Sequence, residues 1–129
     1  MRSTHAAPDA PVLIVEDDAD TARIFGMELK SAGFTVQIVP DGESALSFLE
    51  HGAPKAAVID LHLPTIDGLE LIRRLRARHE LADTPIALVT GDYMLDDTVT
   101  SQLEALQVHV YFKPIWTDEL VEIVRALTA

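Results

Sequence analysis

The sequence predicts a doubly wound α/β domain, in which one five-stranded parallel sheet carries five helices on its two faces. Three observations support that expectation. Five short apolar runs recur along the 129 residues, separated by stretches with apolar residues at helical spacing. The first of these runs, Val12 to Val15, is apolar throughout rather than alternating, as a strand covered on both faces is. The connections are short, which suits strands laid parallel with crossover helices between them.

Met1 to Ala10 hold Ser, Thr, Pro and Ala without a period and read as a flexible leader, so a single domain is expected over residues 11–129. Val12-Leu13-Ile14-Val15 is the first strand, closed by Glu16-Asp17-Asp18. From Ala19 to Ala32, the spacing of Ile24, Phe25, Leu29 and Ala32 marks a helix, with Gly33 as its stop. Thr35 to Val39 is the second strand, Pro40-Asp41-Gly42 a turn, and Glu43 to Glu50 a short helix. Ala56 to Asp60 is the third strand, and it delivers a carboxylate, Asp60, where the apolar run stops. Pro64 cannot extend a ladder, and Asp67-Gly68 opens the next helix, whose apolar side is Leu69, Leu71, Ile72 and Leu75. Arg73, Arg74, Arg76 and Arg78 on its other side read as a solvated basic face. Pro85 to Val89 is the fourth strand and ends in Thr90-Gly91-Asp92. Met94 to Leu106 has the weakest helical pattern, because Asp96, Asp97, Thr98, Val99 and Thr100 are poor helix formers, and this helix is expected to be the least stable. Val108 to Phe112 is the fifth strand, followed by Lys113-Pro114. Thr117 is expected to cap the last helix, with Asp118 and Glu119 in its first turn, Leu120, Val121, Val124 and Leu127 on its buried side and Trp116 packed near its start.

Composition narrows the function classes. Asp and Glu number 21 against 10 Lys and Arg, a formal net charge of −11, which would repel a phosphate backbone, so direct nucleic-acid binding is not expected. The absence of cysteine excludes a disulfide framework and a thiolate metal site. No apolar stretch approaches the roughly 18 residues of a membrane span, and the chain is expected to be cytoplasmic, with no membrane partner. Most of the acids read as a solvating surface; a few stand where solvation does not account for them.

Polar residues close four of the five strands: Glu16 and Asp17, Asp60, Thr90 and Lys113. In sheets of this kind ligands bind beyond the carboxyl ends of the strands, so these residues should converge. Carboxylates brought together there repel by roughly 4 kcal/mol per pair at about 4 Å and an effective dielectric near 20. Either their pKa values rise or a cation joins them, and all-oxygen ligation suits magnesium. The plainer alternatives are helix capping, above all for Asp18, and a structural salt bridge between Lys113 and Asp60. Taken together, a carboxylate nucleophile, a metal, a lysine and the hydroxyl of Thr90 suit a phosphoryl group, and Gly91 leaves room beside it.

The pattern Asp-x-x-x-Pro-x-x-Asp-Gly from Asp60 to Gly68, the acid pair Glu16-Asp17, Thr90 after the fourth strand and Lys113-Pro114 after the fifth resemble the receiver (CheY-like) domain of bacterial two-component response regulators. The resemblance covers residues 11 to 127. It implies a flavodoxin-like fold with strand order 2-1-3-4-5. Asp60 would be the phosphoacceptor, served by a histidine kinase or phosphotransfer protein. Asp17, Asp60 and the backbone carbonyl of His62 would ligate Mg2+, with Glu16 acting largely through water. Lys113 and Thr90 would contact the phosphoryl oxygens, Thr90 would move as a switch, and Lys113-Pro114 would be cis. Asp92 and His62 fall where the family tunes loss of the phosphoryl group. The second switch residue of the family, an aromatic three positions before the lysine, is replaced by Val110, with Tyr111 and Phe112 one and two places later. Strand alternation points Tyr111 away from the face of Val110 and leaves Phe112 on it. Either a bulge shifts the register or the aromatic half of the switch is altered.

His5, His51, His79 and His109 show no ligand spacing. The function expected is therefore a Mg-dependent phosphoacceptor, not a conventional enzyme, working as a monomer or weak homodimer. It would signal to a downstream protein through the face formed by the fourth helix, fifth strand and fifth helix. The alternatives are a receiver-fold interaction module that does not use phosphate, or a receiver excised from a hybrid kinase or longer regulator. A metal-dependent phosphatase fits less well, since no second catalytic acid follows Asp60.

Overall fold

The computed structural model describes residues 6–92 and 94–129; residues 1–5 of the expected leader, His5 among them, lie outside the described residues. Five strands, β1 (Val12–Val15), β2 (Val36–Val39), β3 (Ala56–Asp60), β4 (Ile86–Thr90) and β5 (His109–Phe112), form one sheet in the order β2-β1-β3-β4-β5. Every neighbouring pair is parallel. Between and after them run α1 (Ala19–Ser31), α2 (Gly42–Leu49), α3 (Gly68–Arg76), α4 (Asp97–Ala105) and α5 (Thr117–Thr128), with a 3-10 turn at His79–Leu81. The predicted fold class and strand order are observed.

Side-chain alternation along the central strands divides the core in two. Leu13, Val15, Ala57, Ile59, Ile86 and Leu88 meet Leu49, Leu71, Ile72, Leu75 and Leu103 from α2, α3 and α4 on one face. Val12, Ile14, Val58, Ala87 and Val89 meet Phe25, Leu29, Leu120, Ile123 and Val124 from α1 and α5 on the other. Each fully buried Leu or Ile contributes about 1.5–3 kcal/mol over its exposed state. Ile24, expected on the buried side of α1, instead points outward. Among the described residues no helix is long and apolar enough to cross a membrane.

Four of the acids are local fasteners as well as surface charge. Asp18, Asp41, Asp67 and Asp96 each precede a helix and accept the amide of the residue three places on, at 3.0, 2.7, 2.8 and 2.8 Å. This moves the start of α4 from Met94 to Asp97: Asp96, a poor residue inside a helix, is a good one in front of it. The Thr21 hydroxyl and amide hold the Asp18 carboxyl below its ordinary pKa, and the Ser44 amide and hydroxyl do the same for Asp41. A depressed folded-state pKa gives stability that is present at neutral pH and lost as pH falls through that value. Asp41→Ala is thus expected to lower the unfolding midpoint in urea at pH 7, with the gap to the wild type closing in strong acid.

Helix ends follow a shared device with one difference. After α1, Gly33 takes φ 101° while the amides of Gly33 and Phe34 return to the carbonyls of Lys30 and Leu29. After α4 the same pair of returns is made by Gln107 and Val108 to Glu104 and Leu103, yet the left-handed position is filled by Gln107, φ 59°. Because Gln107 is exposed, Gln107→Gly is expected to stabilise the fold by about 0.5–1 kcal/mol, read as a shifted urea midpoint at unchanged slope. At α5, Trp116 rather than Thr117 occupies the cap position: its amide donates to Glu119 Oε1 at 3.3 Å, and its ring is 69% exposed rather than packed.

The basic face of α3 is not simply solvated. Arg73 and Arg74 both pair with Glu70 at 3.0 Å, and Arg78 pairs with Glu80 at 2.8 Å. Arg76 is half-buried and donates hydrogen bonds to backbone carbonyls of two separate connections.

Candidate functional site

Register alone brings the polar strand ends together. Val15 stands beside Ile59, so Glu16 follows next to Asp60; Asp60 stands beside Val89, so Thr90 extends one residue further. Thr90 stands beside Phe112, and the Lys113 amide donates to the Thr90 carbonyl at 2.8 Å. Parallel strands of matched length therefore end on one rim, where Glu16, Asp60 and Thr90 are buried and Asp17 is exposed.

Lys113 holds the centre. Its Nζ lies 3.1 Å from Glu16 Oε1 and 3.1 Å from Asp60 Oδ2. The remaining oxygens take backbone donors: the Asp18 amide reaches Glu16 Oε2 at 3.1 Å, and the His62 amide reaches Asp60 Oδ1 at 3.2 Å. Burial raises the pKa of Glu16, and the Asp60 carboxylate adds to this, against the lowering by the Asp18 amide and by Lys113. For Lys113, burial would lower the pKa, but the two carboxylates outweigh it and the ammonium is held above its ordinary value.

Glu16, Asp17 and Asp60 each place a carboxylate oxygen within 4.8 Å of the others. Three carboxylates against one ammonium leave two negative charges unbalanced on the rim, and the donor set is all oxygen. That chemistry fits a hard divalent cation and no thiophilic one.

Around this core the loops make two further contacts. The Thr90 hydroxyl accepts the Asp92 amide at 3.0 Å, and the ring of His62 faces Asp92, Nε2 to Oδ2 3.6 Å, so its imidazole points at the β4–α4 connection rather than into the carboxylate group. The Lys113-Pro114 peptide is cis. Nothing lies within 4 Å of where a side chain on Gly91 would begin.

Val110 joins the core on the α2–α4 side of the sheet and Tyr111 the core on the α1–α5 side, while Phe112 is 43% exposed. The four paired positions of β5 run without interruption, so no bulge brings Tyr111 onto the face of Val110.

Sequence reasoning did not find the Asp92 amide on the Thr90 hydroxyl, nor why a glycine must follow Asp67. The Gly68 amide donates to the Leu61 carbonyl at 2.8 Å, and a Cβ there would overlap the Asp60 carbonyl oxygen and lie 2.8 Å from Leu61 Cα. The Asp-Gly pair was legible as a turn that opens the next helix and as part of the pattern from Asp60, but its spacing from Asp60 carries no hint of backbone contact.

Comparison with known proteins places the fold in a known family. The model of the response regulator receiver domain matches residues 12–125. The transcriptional regulatory protein PrrA of Mycobacterium tuberculosis is 34% identical over 116 residues, covering 90% of this chain and 48% of that protein. The chain thus spans about half the length of the curated relatives it matches. Among solved structures, the receiver domain of a signal transduction histidine kinase from Syntrophus aciditrophicus superposes with a TM-score of 0.81 at 26% identity, covering 92% of this chain and 89% of that one. The chemotaxis protein CheY4 of Vibrio cholerae, at 22% identity and a TM-score of 0.82 over 92% of this chain and 98% of that one, shares the fold.

Proposed function

We propose that this chain, which belongs to the response regulator receiver domain family, accepts a phosphoryl group on Asp60 from the phosphohistidine of a kinase or phosphotransfer protein. The observation that carries the proposal is the bridging of Lys113 between Asp60 and Glu16, 3.1 Å from each, inside a group of three carboxylates. A structural salt bridge needs one acid, and the surplus negative charge has a use where a cation and a phosphoryl group arrive together.

In the transfer, a carboxylate oxygen of Asp60 bonds to phosphorus as the bond from phosphorus to the donor imidazole breaks; the imidazole nitrogen takes up a proton and Asp60 becomes an acyl phosphate. Positioning and charge stabilisation supply the catalysis, since the transferring group is nearly free in the transition state. The Lys113 ammonium exchanges a carboxylate oxygen for a phosphoryl oxygen. The Thr90 hydroxyl leaves the Asp92 amide to reach another. Mg2+ would be held by Asp17, Asp60 and the His62 carbonyl, with Glu16 through water, and when bound it would offset the repulsion of the acids toward the incoming group.

The signal would leave through α4, β5 and α5. The relatives are named transcriptional regulators, and the half of their length outside this match is where an output activity would lie. With Val110 in place of an aromatic side chain, movement of Thr90 and α4 carries the switch without a partner ring from β5.

The test is incubation with acetyl phosphate and magnesium, followed by intact mass and fragment mapping. One phosphoryl mass on Asp60, absent with a chelator, is the expected result. No gain in mass, or a gain that persists in Asp60→Asn, overturns the reading.

A further inference from the structure

The two ends of α4 are held in different ways. At the C-terminal end, Arg76 Nε donates to the Leu106 carbonyl at 2.8 Å and Nη2 to the Gln107 carbonyl at 3.2 Å. Nη1 of the same side chain reaches the carbonyls of Leu81, Ala82 and Thr84 at 3.3, 3.1 and 2.7 Å. One planar guanidinium thereby ties the end of α4 to the connection between α3 and β4, using the carbonyls that a helix C-terminus leaves without internal partners. Alongside it, Arg73 Nη2 donates to Gln102 Oε1 at 2.8 Å.

At the N-terminal end the attachments differ in kind. Leu103 is the fully buried side chain of α4, one turn from the C-terminus, while Leu95 and Val99 are half-buried. Among the described residues, the polar ties here run within the segment or to the phosphoryl site. The Met94 amide donates to Asp92, the Val99 and Thr100 amides return to Asp96, and Asp92 itself meets Thr90 and His62.

We propose that Arg76 is a positioning residue that anchors the C-terminal end of α4, so that α4 pivots about Leu106–Gln107 when its N-terminal end responds to Thr90. The pivot under phosphorylation rests on the function proposed above; the anchor does not. A helix fixed at one end and tied to the site, among the described residues, through Asp92 converts a small movement of the Thr90 hydroxyl into a swing of its first turn. Gln107, already in a left-handed conformation, sits at the fixed end.

Hydrogen–deuterium exchange on the full chain, with and without acetyl phosphate and magnesium, tests this. In the unphosphorylated wild type the amides of Leu106, Gln107 and Val108 are expected to exchange at least about 10-fold more slowly than those of Val99 and Thr100. Arg76→Lys keeps the charge but not the planar fork, and should remove that gradient by speeding the Leu106–Val108 amides while leaving β1 and β3 unchanged. Within α4 and its C-terminal turn, phosphorylation of the wild type should alter exchange at Leu95–Thr100 and not at Leu106–Val108, and in Arg76→Lys the change should spread through Leu106–Val108. Uniform protection along α4 in the wild type overturns the proposal, as does a variant in which Leu106–Val108 is unaffected or every strand loosens equally. Should Arg76→Lys fail to fold, Arg73→Ala cuts the exposed tie to Gln102 and must loosen the same C-terminal amides, though less, for the anchor to stand. If no phosphoryl mass is acquired, the functional reading fails while the unphosphorylated gradient still decides the anchor.

Discussion

Asp60→Asn is expected to abolish phosphoryl acceptance and, at the same time, to make the magnesium-free protein more stable. In the folded chain the Asp60 carboxylate feels one attraction, to Lys113 at 3.1 Å, and two repulsions, from Glu16 and Asp17 with oxygens within 4.8 Å. Each pair is of order 4 kcal/mol at about 4 Å and an effective dielectric near 20, so the balance is repulsive by roughly one pair before solvent screening of the exposed Asp17 reduces it. Asparagine keeps an oxygen to accept the His62 amide and removes the charge. A gain of about 1–2 kcal/mol, or several degrees in Tm, follows. Magnesium should reverse the order: at a concentration 100 times its Kd, a ligand that binds the folded state alone adds about 2.7 kcal/mol to the wild type, and the variant, short of one ligand, gains less. Thermal melts of both proteins across a magnesium titration read this directly. A variant less stable than the wild type without magnesium would show that Asp60 is chiefly the structural partner of Lys113. On the function proposed above, the stability surrendered to keep these acids together would be a trade of fold for chemistry.

That trade explains which parts of the molecule could be read in advance. The strands were legible because β1, β3 and β4 are covered on both faces and must be apolar throughout, which leaves the first polar residue after each as a conspicuous marker of the rim. Glu16, Asp60 and Thr90 stand out for that reason, whereas Lys113 follows β5, an edge strand that is only partly buried. What could not be read depends on the backbone of distant segments. Arg76 looked like a member of a solvated row, since its carbonyl partners from Leu81 to Gln107 have no side-chain signature. The onset of α4 was misplaced because an Asp that weakens a helix from within strengthens it from one position before. The end of α4 carried no glycine to mark it, Gln107 having taken the left-handed place that Gly33 fills after α1. Trp116 suggested packing by its size, but capping of α5 by Glu119 leaves the ring outside.

The largest loss of stability is expected from the smallest change, Gly68→Ala. Inside an ordinary helix this substitution adds about 1 kcal/mol of stability, because alanine loses less backbone freedom on folding. Gly68 is the first residue of α3, and its neighbours are not side chains that can turn aside: a methyl group there would overlap the Asp60 carbonyl oxygen and lie 2.8 Å from Leu61 Cα. Relief requires α3 to withdraw from β3. That movement stretches the 2.8 Å bond from the Gly68 amide to the Leu61 carbonyl and lifts Leu69, Leu71, Ile72 and Leu75 from the core they fill. The sign therefore inverts, with an expected loss of about 2–4 kcal/mol. The consequence for chemistry is separate and measurable. Asp60 carries the same backbone that α3 must push against, and a displacement of about 1 Å at a reacting group is enough to slow transfer by roughly 100-fold. Phosphorylation by acetyl phosphate at a temperature where Gly68→Ala remains folded should show that slowing. Gly91→Ala provides the matched control for stability on the same rim: nothing lies within 4 Å of the added atom, so its Tm should stay near that of the wild type. Equal stability of Gly68→Ala and wild type would mean that α3 can settle elsewhere on β3, and that the Asp-Gly pair serves only to turn the chain.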